Sequence, residues 1–391
     1  MRAAWTTAII LLGIVVAAFN LRPGVTGLSP LLDLMGAEIP LSAAFLAIIG
    51  MLPPLLYGVG GFLAPRLVSR YSAITVSLVA MIMIALGLGA RALVSSPTLF
   101  LLLSVVALLG MGFGNVVVPP IVKSHFPDRV ALMSTVHVGL LQLGTFLPPL
   151  VAVPLARQFD WRGSLLVWVA CALVAVAVWA VIAVRRPPAR VTVTATVVGG
   201  AELRRLLRTP RAWALMTMTG MTSFNNFILF TWLPPLLTRA GFDSAFAGAM
   251  LALVTAVPLV LGFVLPALTA RLRSAAPIVI AFCFSLAAGY IGLWLAPQAA
   301  PELWTVLLGI GISTFPLALT LITLRSATPE ASAALAGFVQ GGGYLMAATG
   351  PLLFALLVES SDTLTPAIVL VLASVVLKLG VTIPASRPGH I

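Results

Sequence analysis

Long apolar runs dominate the chain, and only brief polar breaks interrupt them. A helix that crosses a bilayer needs about 20 mostly apolar residues. By that criterion the pattern predicts twelve spanning helices, numbered here as spans 1 to 12, at residues 5–34, 42–65, 72–93, 97–121, 131–156, 163–184, 212–237, 244–269, 276–296, 302–324, 332–358 and 364–384. The first run is too long for a secretory signal peptide and has no fitting small-residue cleavage site, so we expect it to be a span.

The break between spans 6 and 7 differs from the others in length and charge. Residues 185–211 hold seven arginines against one acid, Glu202. A long polar segment in this place divides the spans six and six. We therefore expect an N-terminal half at 1–184, a basic cytoplasmic linker at 185–211 and a C-terminal half at 212–391.

Basic residues collect on one side of the predicted spans. With the N-terminus placed inside, 16 lysines and arginines fall on the inner side and 4 on the outer side, while seven of the ten acids fall outside. Cytoplasmic loops of membrane proteins carry an excess of lysine and arginine. The asymmetry predicts a multi-pass protein of the cell inner (plasma) membrane with both termini in the cytoplasm.

Composition supports this and excludes several classes of protein. The chain is 61% apolar and only 8% charged, with a mean hydropathy of +1.14, too apolar for a soluble enzyme, a nucleic-acid-binding domain or a disordered protein. The net charge of +12 belongs to the loops, so we expect a lipid bilayer as partner and no nucleic acid. Cys171 and Cys283 lie inside apolar runs, where they indicate neither a disulfide nor a metal site.

The two halves repeat each other in sequence. At a shift of 205 residues, Phe19-Asn20 matches Phe224-Asn225, and the following Leu28, Pro30, Leu31 and Leu32 also find identical partners. The segments 61–70 and 262–271 share Gly, Phe, Pro, Leu and Arg in order. Polar and conformationally special residues match by chance less readily than leucines. The pattern predicts two homologous six-helix halves, an architecture of many secondary transporters.

The repeat and its motifs resemble the major facilitator superfamily over essentially the whole chain. Gly61-x-x-x-Pro65-Arg66-x-x-x-Arg70 falls between spans 2 and 3, where that superfamily carries G-x-x-x-D-R-x-G-R-R. The resemblance implies an all-α membrane fold whose two halves rock around a midplane site. Pro65 replaces the acid of that signature, so an inner-gate ion pair built on the acid cannot form here.

Five segments resemble the cyanate/nitroimidazole porters within that superfamily: Asn20-Leu21-Arg22-Pro23, Trp161-Arg162-Gly163-Ser164, Thr231-Trp232-Leu233-Pro234-Pro235, Phe315-Pro316-Leu317-Ala318-Leu319-Thr320 and Gln340-x-x-Gly343-Tyr344. The resemblance implies a transporter of a small anionic or polar nitrogen-containing solute that works by alternating access. We expect a monomer without a cofactor. The alternatives are a multidrug or metabolite exporter of the same fold, and a non-transporting membrane receptor.

Arg22 is the sharpest candidate for binding an anion. It lies about 17 residues into span 1, or about 25 Å along a helix that rises 1.5 Å per residue. A charge at hydrocarbon depth normally faces a cavity or a partner, and Pro23 interrupts the helix beside it. The other interpretation is an arginine whose side chain reaches the outer interface.

Asn20 and Asn225 are related by the repeat, which predicts equivalent places in the two halves. Their amides could hydrogen-bond a solute, or they could hold helices together, a common role of intramembrane asparagine. Asn226 follows directly and would point about 100° away.

Other candidates are weaker. Gln340 and Tyr344 share a face of span 11, although the glycines between them also suit close packing. Trp232, with Tyr57 and Phe19, could form a wall for a flat solute. Further polar residues in the spans, for which packing is an equal explanation, are Asn115, His137, Gln142, Thr255 and Thr320.

Coupling and catalysis leave little signal. No span carries an acid in its middle, and His137 is the one histidine in a predicted span. The sequence does not decide whether a proton or a counter-anion is coupled to transport. We expect that transport does not require proton coupling through His137. Metalloprotease, P-loop and dinucleotide motifs are missing, so we expect no enzyme.

Overall fold

The computed structural model describes residues 2–185, 200–271, 274–387 and 389. Every regular element in these ranges is helical, and no strand occurs in them. This confirms the all-α prediction. Of the predicted linker 185–211, residues 186–199 lie outside the described ranges, so the proposed division of the chain there stays a prediction.

Spans 1 to 6 occupy the first part of the chain. Span 1 is broken into several pieces, and spans 5 and 6 follow each other directly with a break in the helix at Asp160. The bounds are Arg2–Asn20, Pro23–Thr26, the 3-10 turn Ser29–Leu31 and Leu32–Gly36 for span 1, Ala43–Arg70 for span 2, Ala73–Ala92 for span 3, Pro97–His125 for span 4, the 3-10 turn Pro127–Arg129, and Val130–Arg185 for spans 5 and 6.

Spans 7 to 12 follow a short helix that the apolar pattern did not predict, called the linker helix below. The bounds are Gly200–Leu207 for the linker helix, Pro210–Arg239 for span 7, Ser244–Arg271 for span 8, Ala276–Leu295 for span 9, Pro301–Ile312 and Thr314–Leu324 for span 10, Pro329–Glu359 for span 11 and Thr365–Ser386 for span 12.

Helix lengths in the described ranges agree with the twelve predicted spans. Ten helical segments are long and apolar enough to cross a membrane. One of them, Leu132–Arg185, contains 54 residues, enough for two crossings of about 20 residues each, and its helix breaks at Asp160, where φ is 60°. The Asp160 carboxylate closes this break by accepting hydrogen bonds from the backbone N–H of Arg162 and of Gly163. The one predicted span not among these segments is span 7, Pro210–Arg239, whose 30 residues include more Thr, Ser and Asn.

Local sequence explains where several spans begin. Ser72, Ser96 and Thr328 each accept a hydrogen bond from the backbone N–H three residues later. A side-chain oxygen in this position satisfies one of the N–H groups that the first helical turn leaves unpaired. Pro97 and Pro329 follow directly at the first helical position, where the missing N–H costs nothing.

The described residues form two compact units. One comprises the residues up to 41 and from 56 to 185, and the other comprises 42–55 and the residues from 200 onward. Span 2 thus contributes to both units. Within the second unit its Gly50 packs so closely on Thr231 and Pro351 that an added Cβ would lie 2.7 Å from each.

Candidate functional site

The break in span 1 puts Arg22 at a helix start. The helix ends at Asn20 and resumes at Pro23, with the Arg22 backbone at φ −128° and ψ −35°. Pro23 has no N–H to donate, which disfavours continuation of the preceding helix and suits the first turn of the next one. The carbonyl of Arg22 accepts from the N–H of Val25 at 3.0 Å. The predicted interruption beside Arg22 is therefore present.

Arg22 stacks on an aromatic ring in the first unit. Its guanidinium carbon lies 5.1 Å from the ring centroid of Tyr57 on span 2, within the range of a cation–π contact. The Tyr57 hydroxyl donates to the carbonyl of Leu21 at 3.1 Å, which fixes the ring beside the break. Tyr57 is buried, whereas Arg22 is only partly so, and an arginine held on a ring keeps its fork of N–H donors in a set orientation.

His137 on span 5 belongs to the same neighbourhood. It is buried, and it lies close enough to Arg22 for the two to interact electrostatically. Its Nδ1 has no hydrogen-bond partner among the described residues. Arg22 and His137, which the sequence singled out separately, therefore interact electrostatically. Tyr57, which the sequence suggested only as part of a wall for a flat solute, is the ring beside Arg22.

Asn20 and Asn225 make matching contacts in their own units. Asn20 Nδ2 donates to Val16 O at 2.7 Å and to Cys171 O on span 6 at 3.2 Å. Asn225 Nδ2 donates to Met221 O at 2.8 Å and to the Ser374 hydroxyl on span 12 at 2.9 Å. Each amide bonds the carbonyl four residues earlier and ties the first span of its half to the last. These contacts favour the packing interpretation, although the Asn225 Oδ1 has no partner among the described residues.

Close helix packing repeats in the same way. A Cβ on Gly144 of span 5 would collide with the Phe19 carbonyl, and a Cβ on Gly350 of span 11 would lie 3.0 Å from the Phe224 carbonyl. Phe19 and Phe224 are the residues that precede the two asparagines. The repeat detected in the sequence therefore appears as equivalent contacts within each unit.

Gln340 and Tyr344 lie in the middle of span 11 and are half-buried. No hydrogen bond of the Gln340 side chain occurs within the described residues. Between them, Gly343 meets Gly220 of span 7, and a Cβ added to Gly343 would lie 3.4 Å from the Gly220 Cα. The glycines therefore serve close packing, one of the two roles considered for them.

Trp232 is deeply buried in the second unit. Its side chain is 1% exposed, and its ring lies 5.3 Å from that of Phe354. Both rings line a mainly apolar cavity of about 240 Å³ that also touches Arg239 and Tyr290. The Trp232 Nε1 and the Tyr290 hydroxyl have no hydrogen-bond partner in the described part of the chain. Trp232 thus walls a cavity, but one inside the second unit.

Two of the remaining polar candidates are engaged on their own helices. Asn115 Nδ2 donates to Met111 O at 2.9 Å, and the Thr255 hydroxyl donates to Ala252 O at 2.8 Å. Gln142 is half-buried. These contacts are typical of polar side chains that satisfy themselves locally in a span.

Sequence reasoning missed two buried cations, the first of which is Arg91. Arg91 lies near the predicted end of span 3 and is one of the four basic residues counted on the outer side, but its side chain is 1% exposed. It donates to the Gly24 carbonyl in broken span 1 at 2.8 Å and to the Ser104 hydroxyl at 3.3 Å, and it lies over the Phe100 ring at 5.4 Å. Nothing in the sequence indicated that Arg91 is buried, because an arginine at the end of a span usually extends its side chain toward water.

Lys378 on span 12 is the second missed cation. It is fully buried and donates to the Gly311 carbonyl at 3.2 Å and to the Thr314 hydroxyl at 2.8 Å. These two residues flank Ser313, where span 10 is broken. A lysine in the middle of a span was the available signal, since intramembrane charges commonly mark function.

The Trp161–Ser164 segment has a structural role at one end of the first unit. Arg162 forms an ion pair with Glu38, donates to the Ser95 hydroxyl at 3.0 Å, and lies 4.2 Å from the Trp161 ring centroid. The Ser164 hydroxyl donates to Ala152 O at 2.8 Å. The segment therefore joins three loops of its unit and holds spans 5 and 6 together.

Comparison with known proteins identifies the family. The sequence model described as Major Facilitator Superfamily matches residues 10–351, well over half of the chain. The chain belongs to this superfamily. The spans, the repeat and the loop signature between spans 2 and 3 all led to the same expectation, which is confirmed.

Curated relatives agree with the narrower resemblance. The chain is 31% identical over 352 residues to the 2-nitroimidazole transporter of Escherichia coli strain K12, covering 88% of this chain and 86% of the relative. It is 27% identical over 346 residues to the cyanate transport protein CynX of the same strain, covering 87% and 88%. The uncharacterized transporter YycB of Bacillus subtilis strain 168 is 30% identical over 383 residues, covering 97% and 94%. The predicted resemblance to cyanate and nitroimidazole porters is thereby confirmed.

Solved structures support the fold. The crystal structure of a point mutant of the nucleoside transporter NupG matches with a TM-score of 0.76 at 12% identity, covering 96% of this chain and 99% of the other. A D-xylose-proton symporter matches with a TM-score of 0.70 at 15% identity, covering 95% and 96%. At such identities the likeness shows the fold alone. The chain is a multi-pass membrane protein with a transporter fold.

Proposed function

We propose that the protein transports a small, flat anion or polar nitrogen-containing solute, and that Arg22 binds its acceptor atoms. Family membership makes a small-molecule solute the general expectation. The observation that carries the narrower proposal is the placement of Arg22 at the break in span 1, with its guanidinium over the Tyr57 ring at 5.1 Å.

The chemistry of this arrangement suits such a solute. A guanidinium offers five N–H donors in a planar fork that matches two adjacent acceptor atoms better than a lysine does. The cation–π contact with Tyr57 restricts the guanidinium, so less freedom is lost when a solute binds. Cyanate is a small anion, and 2-nitroimidazole carries two nitro oxygens in the plane of its ring. The relatives named for these solutes support the proposal at 27% and 31% identity.

Further parts of the proposal concern the other candidates. His137, beside Arg22, is proposed to contact the solute from span 5. Gln340 and Tyr344 are proposed as contacts contributed by span 11. For Asn20 and Asn225 we propose a positioning role through spans 1 and 7, because their amide N–H groups are engaged. For Trp232 we propose contact with apolar solutes within its own cavity.

The mode of transport is also a proposal. We infer alternating access in the plasma membrane, with both termini in the cytoplasm, from the repeat and from the basic asymmetry of the loops. We propose movement that does not require proton coupling through His137. One alternative is a drug exporter of the same fold. The other is a membrane receptor that does not transport, and uptake of labelled solute into reconstituted vesicles distinguishes a transporter from it.

Substitution of Arg22 tests the solute site. Arg22→Gln removes the charge and most of the fork, and we expect binding of cyanate and of 2-nitroimidazole to fall by about 100-fold, since hydrogen bonds to charged groups contribute about 1.5–3 kcal/mol. Arg22→Lys keeps the charge but not the fork, so we expect an intermediate loss. Affinity is measured by isothermal calorimetry on purified protein, and transport by uptake into vesicles.

Arg129→Gln is the matched control, because Arg129 is exposed beside span 5. It should leave both affinities unchanged. Purified variants are compared at equal thermal stability, so that misfolding is separated from loss of a contact. If a well-folded Arg22→Gln variant binds both solutes with wild-type affinity, Arg22 is not part of the solute site. The alternative, an arginine whose side chain reaches the outer membrane interface, would then be favoured.

A further inference from the structure

A shallow groove lies at one end of the second unit, apart from the solute candidates. It has a volume of about 500 Å³ and runs between the end of the linker helix, the start of span 7 and the end of span 12. Leu207, Val381 and Pro384 give it apolar walls, and Arg208, Trp213 and Thr217 give it polar or aromatic ones. Its lining thus combines a hydrocarbon-like surface with a cation.

The walls of the groove are held in place. Leu206, next to the groove, is only 2% exposed and packs in the core of the unit, which anchors the linker helix. The Trp213 Nε1 donates to the Leu207 carbonyl at 2.9 Å, and its ring meets Phe338 edge-on at 5.5 Å. The Trp213 side chain nevertheless stays 43% exposed. An indole fixed in this way but open on one face is typical of a membrane interface.

The polar groups of the groove are available for a ligand. Arg208 is exposed and forms no ion pair with any described acid. The Thr217 hydroxyl makes no hydrogen bond within the described residues. By contrast, Thr219 and Thr222 on the same helix each donate to the carbonyl four residues earlier at 2.8 Å. The groove therefore presents one guanidinium and one uncommitted hydroxyl.

The surrounding surface is strongly positive. The linker helix carries the exposed Arg204 four residues before Arg208, and Arg211 follows on the first turn of span 7. Arg325, after span 10, donates to the Ser386 carbonyl at 2.8 Å. Burial, and next the positive charge of Arg211, lower the pKa of the Arg325 guanidinium. Several arginines around the residues that line the groove favour a bound anion that offsets their charge.

We propose that this groove binds an anionic phospholipid, with the phosphate at Arg208 and Thr217 and an acyl chain along Leu207 and span 12. Basic residues beside a span attract anionic headgroups, each contributing about 1 kcal/mol near the surface. Span 12 also presents apolar surface next to the groove along the chain, since Leu377, one turn before the lining residue Val381, is 48% exposed, and Ile383, next to Pro384, is 56% exposed. A free phosphate ion would contact Arg208 but not the apolar surface. The combination of positive charge and apolar surface therefore favours an anionic phospholipid over a free phosphate ion.

Short-chain lipids test the proposal on the purified full-length protein. Dihexanoyl phosphatidylglycerol and dihexanoyl phosphatidylcholine share their chains and differ in net charge. We expect the anionic lipid to bind at least about fivefold more tightly, as measured by microscale thermophoresis, and to raise the thermal unfolding midpoint. Arg208→Gln should remove about fivefold of that affinity, the equivalent of one arginine. Thr217→Val should weaken it as well, without changing charge.

Arg239→Gln is the matched control, because Arg239 ends the same span and is also exposed. It should leave the preference for the anionic lipid intact. Equal binding of the two lipids, or equal losses in Arg208→Gln and Arg239→Gln, would overturn the proposal. Soluble glycerol 3-phosphate serves as a headgroup without chains, and binding as tight as that of the lipid would overturn the lipid assignment. Trp213→Leu should weaken lipid binding while glycerol phosphate binding stays unchanged.

Discussion

Three cations in the spans, Arg22, Arg91 and Lys378, differ in exposure and in hydrogen-bond partners, and these differences suggest different roles. Arg22 is partly exposed and stacked on Tyr57, which suits contact with a solute. Arg91 and Lys378 are buried and donate to backbone carbonyls at helix breaks. Residue type and depth along the chain do not distinguish these cases, because burial and partners come from neighbouring helices.

The asparagines give a prediction at the residue scale. Asn225→Ala removes bonds to Met221 O and to the Ser374 hydroxyl. Interhelical hydrogen bonds in membranes average about 0.6 kcal/mol, so we expect a small drop in the unfolding midpoint and a smaller change in solute affinity. A double-mutant cycle with Ser374→Ala isolates the pair. Asn226→Ala serves as the neighbouring control. A large loss of affinity at unchanged stability would contradict the packing role and restore Asn225 as a solute contact.

At the scale of elements, the broken spans are the distinctive feature. Span 1 breaks at Leu21-Arg22 and span 10 at Ser313. In each case a buried cation from another span bonds a carbonyl near the break. Gly311 also lets span 9 pack closely here, because a Cβ on it would lie 2.7 Å from the Leu286 Cα. A backbone group inside a membrane needs a partner from within the protein, and these cations provide one.

Lys378→Met gives a prediction for span 10. Methionine keeps much of the length of the side chain, but it removes the Lys378 donor from the Gly311 carbonyl and from the Thr314 hydroxyl. The carbonyl then keeps only the long hydrogen bond of 3.4 Å from the Thr314 hydroxyl. An unsatisfied buried polar group costs about 1–3 kcal/mol, whereas removal of a buried charge offsets part of that cost. We expect amide hydrogen exchange around residues 311–316 to rise by about tenfold through local opening, as followed by mass spectrometry.

Arg91→Met is the counterpart for span 1. It should raise exchange around residues 22–27 and leave 311–316 unchanged, while Lys378→Met should do the opposite. If either variant raised exchange evenly over both units, the cations would contribute to general stability rather than to a particular break.

At the scale of the whole molecule, the orientation in the membrane is the main prediction. The asymmetry of 16 inner to 4 outer basic residues predicts a cytoplasmic linker helix. After replacement of Cys171 and Cys283 by alanine, a single cysteine at Leu207 should resist an impermeant thiol reagent in intact cells. A cysteine at Thr363, exposed after span 11, should be labelled. The reverse pattern would invert the topology, and lysed cells confirm that both positions react.

The sequence by itself determined the fold class, the spans and the repeat, because a bilayer requires long apolar helices and a duplicated chain keeps its special residues in register. It also predicted the break in span 1 beside Arg22, since the break depends on the local chemistry of Pro23. Tertiary structure decided what each polar residue does. Asn20 donates a hydrogen bond to span 6 and Asn225 donates one to span 12, and their partners lie 151 and 149 residues further along the chain. Arg91 is buried against span 1, and the groove at Arg208 needs the end of span 12. Such partners follow from how the helices pack, which periodicity and composition do not specify.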